Sequence, residues 1–132
     1  MLLKNPEGKY LLLRRNVEKY PDVSDMWDIV GGRIDPGKPL LENLKREVKE
    51  ETQLELTKEP KLIYAQDILR TKGHHVVRLT YIGEIAGEPV LDEEHDEYKW
   101  LTLSEIENMP KGKVDRYFME VFKAGLIKGE LS

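Results

Sequence analysis

The chain has 132 residues, 39% hydrophobic and 35% charged, enough for one domain (residues 1–132) with a single real core and a well-solvated surface. A net charge of −4 argues against a nucleic-acid partner held by general electrostatics, and the absence of cysteine excludes disulfides, thiolate zinc sites and thiol nucleophiles. No apolar run approaches membrane-spanning length and no signal-peptide pattern stands at the N-terminus, so no membrane partner is expected and the expected compartment is the cytoplasm.

Residues 1–4 and 9–15 are apolar-rich runs separated by Asn5-Pro6-Glu7-Gly8, a turn signal, and read as a β-hairpin. Residues 16–26 are polar with a proline and form a loop, placed either to close over a substrate or simply to lie on the surface. Residues 27–34 read as a strand with Trp27 and Ile29 on one face, and Gly31 and Gly32 let another group approach the backbone closely.

A turn at Asp35-Pro36-Gly37 then leads into a long stretch free of glycine and proline, predicting a helix of about four turns with Pro39 at its first position. On a helical wheel Leu40, Leu41, Leu44 and Val48 share one arc and should face a core, while Lys45 and Lys49 face water. Glu47, Glu50 and Glu51 lie at i, i+3 and i+4 beside the apolar arc, and Glu51 overlaps it. A like-charge pair about 5–6 Å apart costs about 3 kcal/mol at an effective dielectric near 20. Arg46 can neutralise Glu50 at i+4, but no basic residue stands three or four places from Glu47 or Glu51. The acids form either a solvated face or a set of hard oxygen ligands for Mg²⁺ or Mn²⁺, and the inward lean of Glu51 favours the second.

The stretch from Gly32 to Leu54 resembles the Nudix box, G-x5-E-x7-R-E-U-x-E-E-x-G-U with U a bulky aliphatic residue. Gly32 takes the first position, Arg46-Glu47-Val48 the R-E-U, Glu50-Glu51 the paired acids and Leu54 the last aliphatic. Lys38 stands where the family has Glu, and Gln53 where it has Gly. The resemblance implies an αβα sandwich and metal-dependent cleavage of a diphosphate linkage in a nucleoside diphosphate derivative. It implies Mg²⁺, with Mn²⁺ as the alternative, on Glu47, Glu50, Glu51 and the Gly31 carbonyl, with Arg46 orienting the carboxylates. The family's first Glu helps to orient the box Arg, and Glu42, four residues before Arg46, is the expected substitute for it here. Gln53 either adopts the left-handed conformation at a cost of about 1 kcal/mol or the helix ends differently. Neither departure removes a metal ligand. Relative to the family, the first strand lacks its usual beginning.

Residues 61–69 and 74–85 are β-rich runs that read as a second hairpin. His74 and His75 are adjacent on a strand and point to opposite faces, which speaks against a shared metal. Arg70, Lys72 and Arg78 either meet a phosphate or line a solvated strand edge. The run after Leu91 holds five acids in six residues. By the resemblance, an acid in such a late loop completes the metal site or acts as base, with Glu94 and Glu97 as candidates and Glu97 tied to a strand by its nearness to Trp100. Ser104 is the expected cap of a short helix ending at Met109. Residues 113–127 carry a helical stripe of Val114, Tyr117, Phe118, Val121, Phe122 and Leu126.

This order of elements predicts an α/β domain with a mixed, partly antiparallel sheet, the box helix on one face and the C-terminal helix on the other. The general base of the implied hydrolysis is Glu50, Glu94 or Glu97, chosen by reach to the attacking water. A rival reading, favoured by Lys38 and Gln53, is a Nudix-fold module that binds a nucleotide without cleaving it, because fold alone never proves activity. A third is an interaction domain in which the acids are idle. ADP-ribose, diadenosine polyphosphates, nucleotide sugars and damaged nucleoside triphosphates all remain open as substrates, and no motif encodes the oligomeric state.

Overall fold

The computed structural model describes residues 1–131. Its elements are β1 (Leu2–Lys4), β2 (Tyr10–Arg15), β3 (Trp27–Asp28), α1 (Leu40–Thr52), β4 (Lys61–Ile68), β5 (Val76–Glu84), β6 (His95–Leu101), α2 (Leu103–Glu107) and α3 (Arg116–Lys128). Both expected hairpins are present: β1 runs antiparallel to β2, and β4 antiparallel to β5. The first turn is fixed by Asn5, whose side-chain oxygen accepts from the Glu7 and Lys9 amides at 3.1 and 2.9 Å. Parallel pairing of β1 with β5 joins the hairpins into one mixed sheet. The whole of β2 pairs with β6, so β1 and β3 share its other edge end to end.

The sheet is covered on both faces, which explains why β2 opens with four apolar residues in a row instead of alternating. Leu2, Tyr10 and Leu12 pack with Ile106 of α2 and Phe118 and Phe122 of α3. Their neighbours Leu3, Leu11 and Leu13 point the other way, onto Val48 and Leu44 of α1. Each fully buried side chain of this size contributes roughly 1.5–3 kcal/mol. The box helix and the C-terminal helix therefore lie on opposite faces, as the element order predicted.

Three boundaries differ from the sequence reading. The strand expected over residues 27–34 stops at Asp28, because the following backbone finds other partners. The Met1 amine donates to the Val30 carbonyl, and the Arg33 carbonyl and Asp35 amide go to Asn43. The last helix begins at Arg116 and not near Lys113, because residues 113–115 are zipped to β3. The Trp27 amide donates to Lys113 at 3.0 Å, and the Asp115 amide donates to Trp27 at 2.8 Å. Asp115 then caps α3 by accepting from the Phe118 amide at 2.9 Å. The short helix is capped by Thr102 rather than Ser104, because Glu105 stands three residues after Thr102 and the two close a reciprocal capping box. Among the described residues no helix is long and apolar enough to cross a membrane.

Candidate active site

The site is organised by the first turn of α1. Pro39 is the N-cap, with ψ at 141°, rather than the first helical residue, and its carbonyl accepts from the Asn43 amide at 3.0 Å. Asn43 is buried and folds the preceding loop back over the helix. Its Oδ1 accepts from the Asp35 amide at 3.2 Å and from Arg46 Nη2 at 3.0 Å, while its Nδ2 donates to the Arg33 carbonyl at 3.3 Å. Asn43 is a site residue without a sequence signal, since a lone Asn on a helix carries no motif.

Arg46 sits at the centre of the resulting network. It forks onto both oxygens of Glu50 at 2.9 Å and reaches Glu47 and Asp35 at 3.1 Å each. The substitute for the missing family carboxylate is therefore Asp35, brought over by the folded loop, and not Glu42, which is exposed. Leu41, placed on the core arc by the wheel, is also exposed, and Leu40 is half-buried on the cleft wall. At the other end Gln53 takes the left-handed conformation (φ 61°) and its amide donates to Lys49 at 2.9 Å, so the helix ends as the family's does at a cost of about 1 kcal/mol.

Of the three acids, Glu51 is the most confined. It is 6% exposed and its Oε2 has no hydrogen-bond partner. Burial, then the hydrogen-bonded Glu47 carboxylate and the charge of Asp92, pushes its carboxyl up to about 9. Glu47 lies against Gly32, where a Cβ would collide with its carboxylate. The glycine is thus the space in which that carboxylate rests. Gly32→Ala is expected to displace only the flexible end of Glu47, shifting the melting temperature by less than about 3 °C. Divalent-ion affinity, read by calorimetry, should fall roughly 30-fold.

The late acids do not all arrive at this ridge. Glu94 borders the cleft, held by Lys19 and the Tyr20 hydroxyl, and the Lys19 hydrogen bond followed by that of Tyr20 lowers its pKa. Glu97 pairs with Arg14 at 3.2 Å and is not among the residues lining the cleft. His95, which the sequence reading passed over, lies beside Glu51. Its Nε2 is 3.7 Å from Glu51 Oε1, and its Nδ1 is 2.7 Å from Asp92 Oδ1. A histidine inside an acidic run was the available signal. His75, by contrast, pairs with Asp67 at 2.6 Å on the β4–β5 hairpin.

The ridge forms one wall of an open cleft of about 760 Å³. Gly31 and Arg33 line it from the glycine loop, Arg15 from β2, and Arg70 and Arg78 from the second hairpin. Arg78 is committed to an ion pair with Asp28 at 3.2 Å and with Asp115 at 3.0 Å. Ile34, Val76 and Val77 give the cleft an exposed apolar rim. Among the described residues no three His, Cys, Asp or Glu side chains form a ready-made metal cluster as they stand, and Glu50 is turned to Arg46. The donor set nonetheless fits a hard divalent cation: the buried Glu51 and the half-buried Glu47 share a hydrogen bond, and Glu51 keeps an unpartnered oxygen that a cation would satisfy.

The chain is similar over most of its length to the MutT protein from Methanosarcina mazei Go1, at 27% identity and a TM-score of 0.81, covering 98% of this chain and 91% of that one. A MutT NUDIX hydrolase from Burkholderia pseudomallei matches at 23% identity and a TM-score of 0.72, covering 93% and 95%. The NUDIX domain of Shewanella oneidensis NrtR, solved with ADP ribose, matches at 17% identity and a TM-score of 0.71, covering 96% and 83%. No curated protein matches the sequence. The NUDIX domain model matches residues 1–122, and the chain belongs to the NUDIX family of hydrolases.

Proposed function

We propose that the chain is a metal-dependent pyrophosphohydrolase that cleaves the diphosphate linkage of a nucleoside diphosphate derivative in the cytoplasm. The observation that carries this reading is Glu51, a nearly fully buried carboxyl with an unpartnered oxygen beside a second carboxylate on the wall of an open cleft. A helix built for stability alone would not bury that group. Glu47, Glu50, Glu51 and the Gly31 carbonyl are the proposed holders of Mg²⁺, or of Mn²⁺. A divalent ion there neutralises phosphate charge and acidifies water.

The chain's own residues do the rest. Arg46 spaces the carboxylates by gripping Glu47 and Glu50, and Asp35 and Asn43 hold Arg46 in turn. Among the described residues, Arg15, Arg33 and Arg70 line the cleft without an ion pair to a carboxylate, and they meet the substrate's phosphates. Glu50 is the first choice for the base that takes the proton from water, because it borders the cleft on the ridge itself, with Glu94 next. Glu97 would need to leave Arg14 to serve. The apolar rim suits a base or other flat group on the substrate, in keeping with the ADP ribose bound by the Shewanella domain.

The test is chromatography of the products formed from ADP-ribose, diadenosine polyphosphates, nucleotide sugars and damaged nucleoside triphosphates, with Mg²⁺ and with Mn²⁺. Turnover of at least one substrate, abolished by EDTA, is the expected result. Binding without turnover across the panel would establish the second reading, a nucleotide-binding module, which the engagement of Glu50 by Arg46 favours.

A further inference from the structure

His95 owes its position to an irregularity in the sheet. Along β2 and β6, Arg14 opposes Glu97 and Arg15 opposes His95, so Asp96 is an extra residue without a place in the ladder. Asp96 is fixed outside it by Arg14 Nε at 2.7 Å and by the Val17 amide at 3.0 Å. In an unbroken strand His95 would share a face with Glu97 and Lys99, and Lys99 lies over the Trp27 ring in the layer of α3. The bulge turns the imidazole to the other face, toward α1.

There the ring is largely buried, with 16% of its side chain exposed, and both nitrogens have a carboxylate beside them. Asp92 Oδ1 lies 2.7 Å from Nδ1, within hydrogen-bond distance, and Nε2 is the ring nitrogen turned to α1. Nε2 faces Glu51 Oε1, 3.7 Å away, and the other oxygen of that carboxyl has no partner. A carboxylate that fixes the imidazole tautomer so that the far nitrogen is free is the arrangement by which proteins present histidine to a metal.

We infer that His95 supplies a nitrogen ligand to the cation held at Glu47 and Glu51, with Asp92 as its positioning residue. The inference rests on the reading that this ridge binds a divalent ion. It deepens that reading by assigning a mixed oxygen–nitrogen donor set. Such a set shifts preference toward Mn²⁺ and away from Mg²⁺, which takes oxygen ligands.

The experiment is pulsed electron paramagnetic resonance of the full chain with Mn²⁺, in unlabelled protein and in protein carrying [¹⁵N]histidine. Histidine nitrogen coupling is expected, switching isotope with the label and absent from His95→Gln. The variant should bind Mn²⁺ about tenfold more weakly, with Mg²⁺ affinity, read by competition, changed less than twofold. Asp92→Asn should weaken Mn²⁺ a few-fold while keeping the coupling. If His95→Gln fails to fold, the same spectra on His74→Gln and His75→Gln assign the nitrogen by elimination. Bound Mn²⁺ with no histidine coupling, or coupling that persists in His95→Gln, would overturn the assignment and leave the metal ridge standing. No bound Mn²⁺ at all would overturn both.

Discussion

Replacing Glu51 by Gln is expected to lower turnover of the best substrate with Mg²⁺ about a thousandfold, roughly 4 kcal/mol of transition-state stabilisation. The metal-free protein should meanwhile be at least as stable as the parent. The two outcomes share one cause. In the metal-free chain the Glu51 carboxyl sits at about 9 through burial and its Glu47 neighbour, so near neutrality it is already protonated and the amide replaces it in shape. The cation needs the charge, which the amide lacks. A variant within tenfold of parental turnover would remove Glu51 from the metal site.

The same group makes a prediction about pH. An acid raised from 4.5 to about 9 holds its proton more tightly in the folded state. Its stabilising contribution is complete below the unfolded value and is lost as pH rises through the folded one. The Met1 amine, lowered by burial to about 5, works in the opposite sense, its contribution fading as pH falls. The difference between variant and parent isolates Glu51. Melting curves in EDTA should show the advantage of Glu51→Gln widening from about pH 5 to about pH 9.

Phe118→Ala is expected to cost about 4 kcal/mol in stability. For a chain of this size that lowers the melting temperature by roughly 10–15 °C. Phe118 is fully buried, faces Tyr10 and Leu12 across the α3 side of the sheet, and packs on Phe122 with ring centroids 6.1 Å apart. Its neighbours in that cluster are apolar or aromatic, so water would not refill the cavity. The acidic ridge is on the opposite face, so Mg²⁺ affinity of the still-folded variant should stay within twofold. A calorimetric titration beside a denaturant melt measures both. A loss below about 2 kcal/mol would mean that this layer collapses around the gap.

What was legible in the sequence follows physical range. The hairpins, the pairing of Arg46 with Glu50 and the inward lean of Glu51 depend on neighbours within a few residues, and the pattern carries them. Leu41 failed because the wheel gives an arc and not the width of the partner that covers it. Asp35 and Asn43 failed for a different reason: their roles exist only once the glycine loop folds back over α1. Thr102 was legible in principle, since Glu105 three residues later completes the box signature, but its place between Leu101 and Leu103 read as the end of the preceding run. His95 was marked only by its acidic surroundings, and its face could not be placed because a bulge inverts the side-chain alternation.

Arg78 has a consequence for motion. With one guanidinium nitrogen on Asp28 and another on Asp115, and with the Trp27 backbone stitched to residues 113 and 115, the floor of the cleft and the root of the last helix are riveted into a single body. Thermal breathing at the C-terminal end cannot stay local. Amide exchange in β3 should rise and fall together with that at the start of α3, so a partner or crowding agent that quiets the tail also steadies the floor on which a substrate would rest.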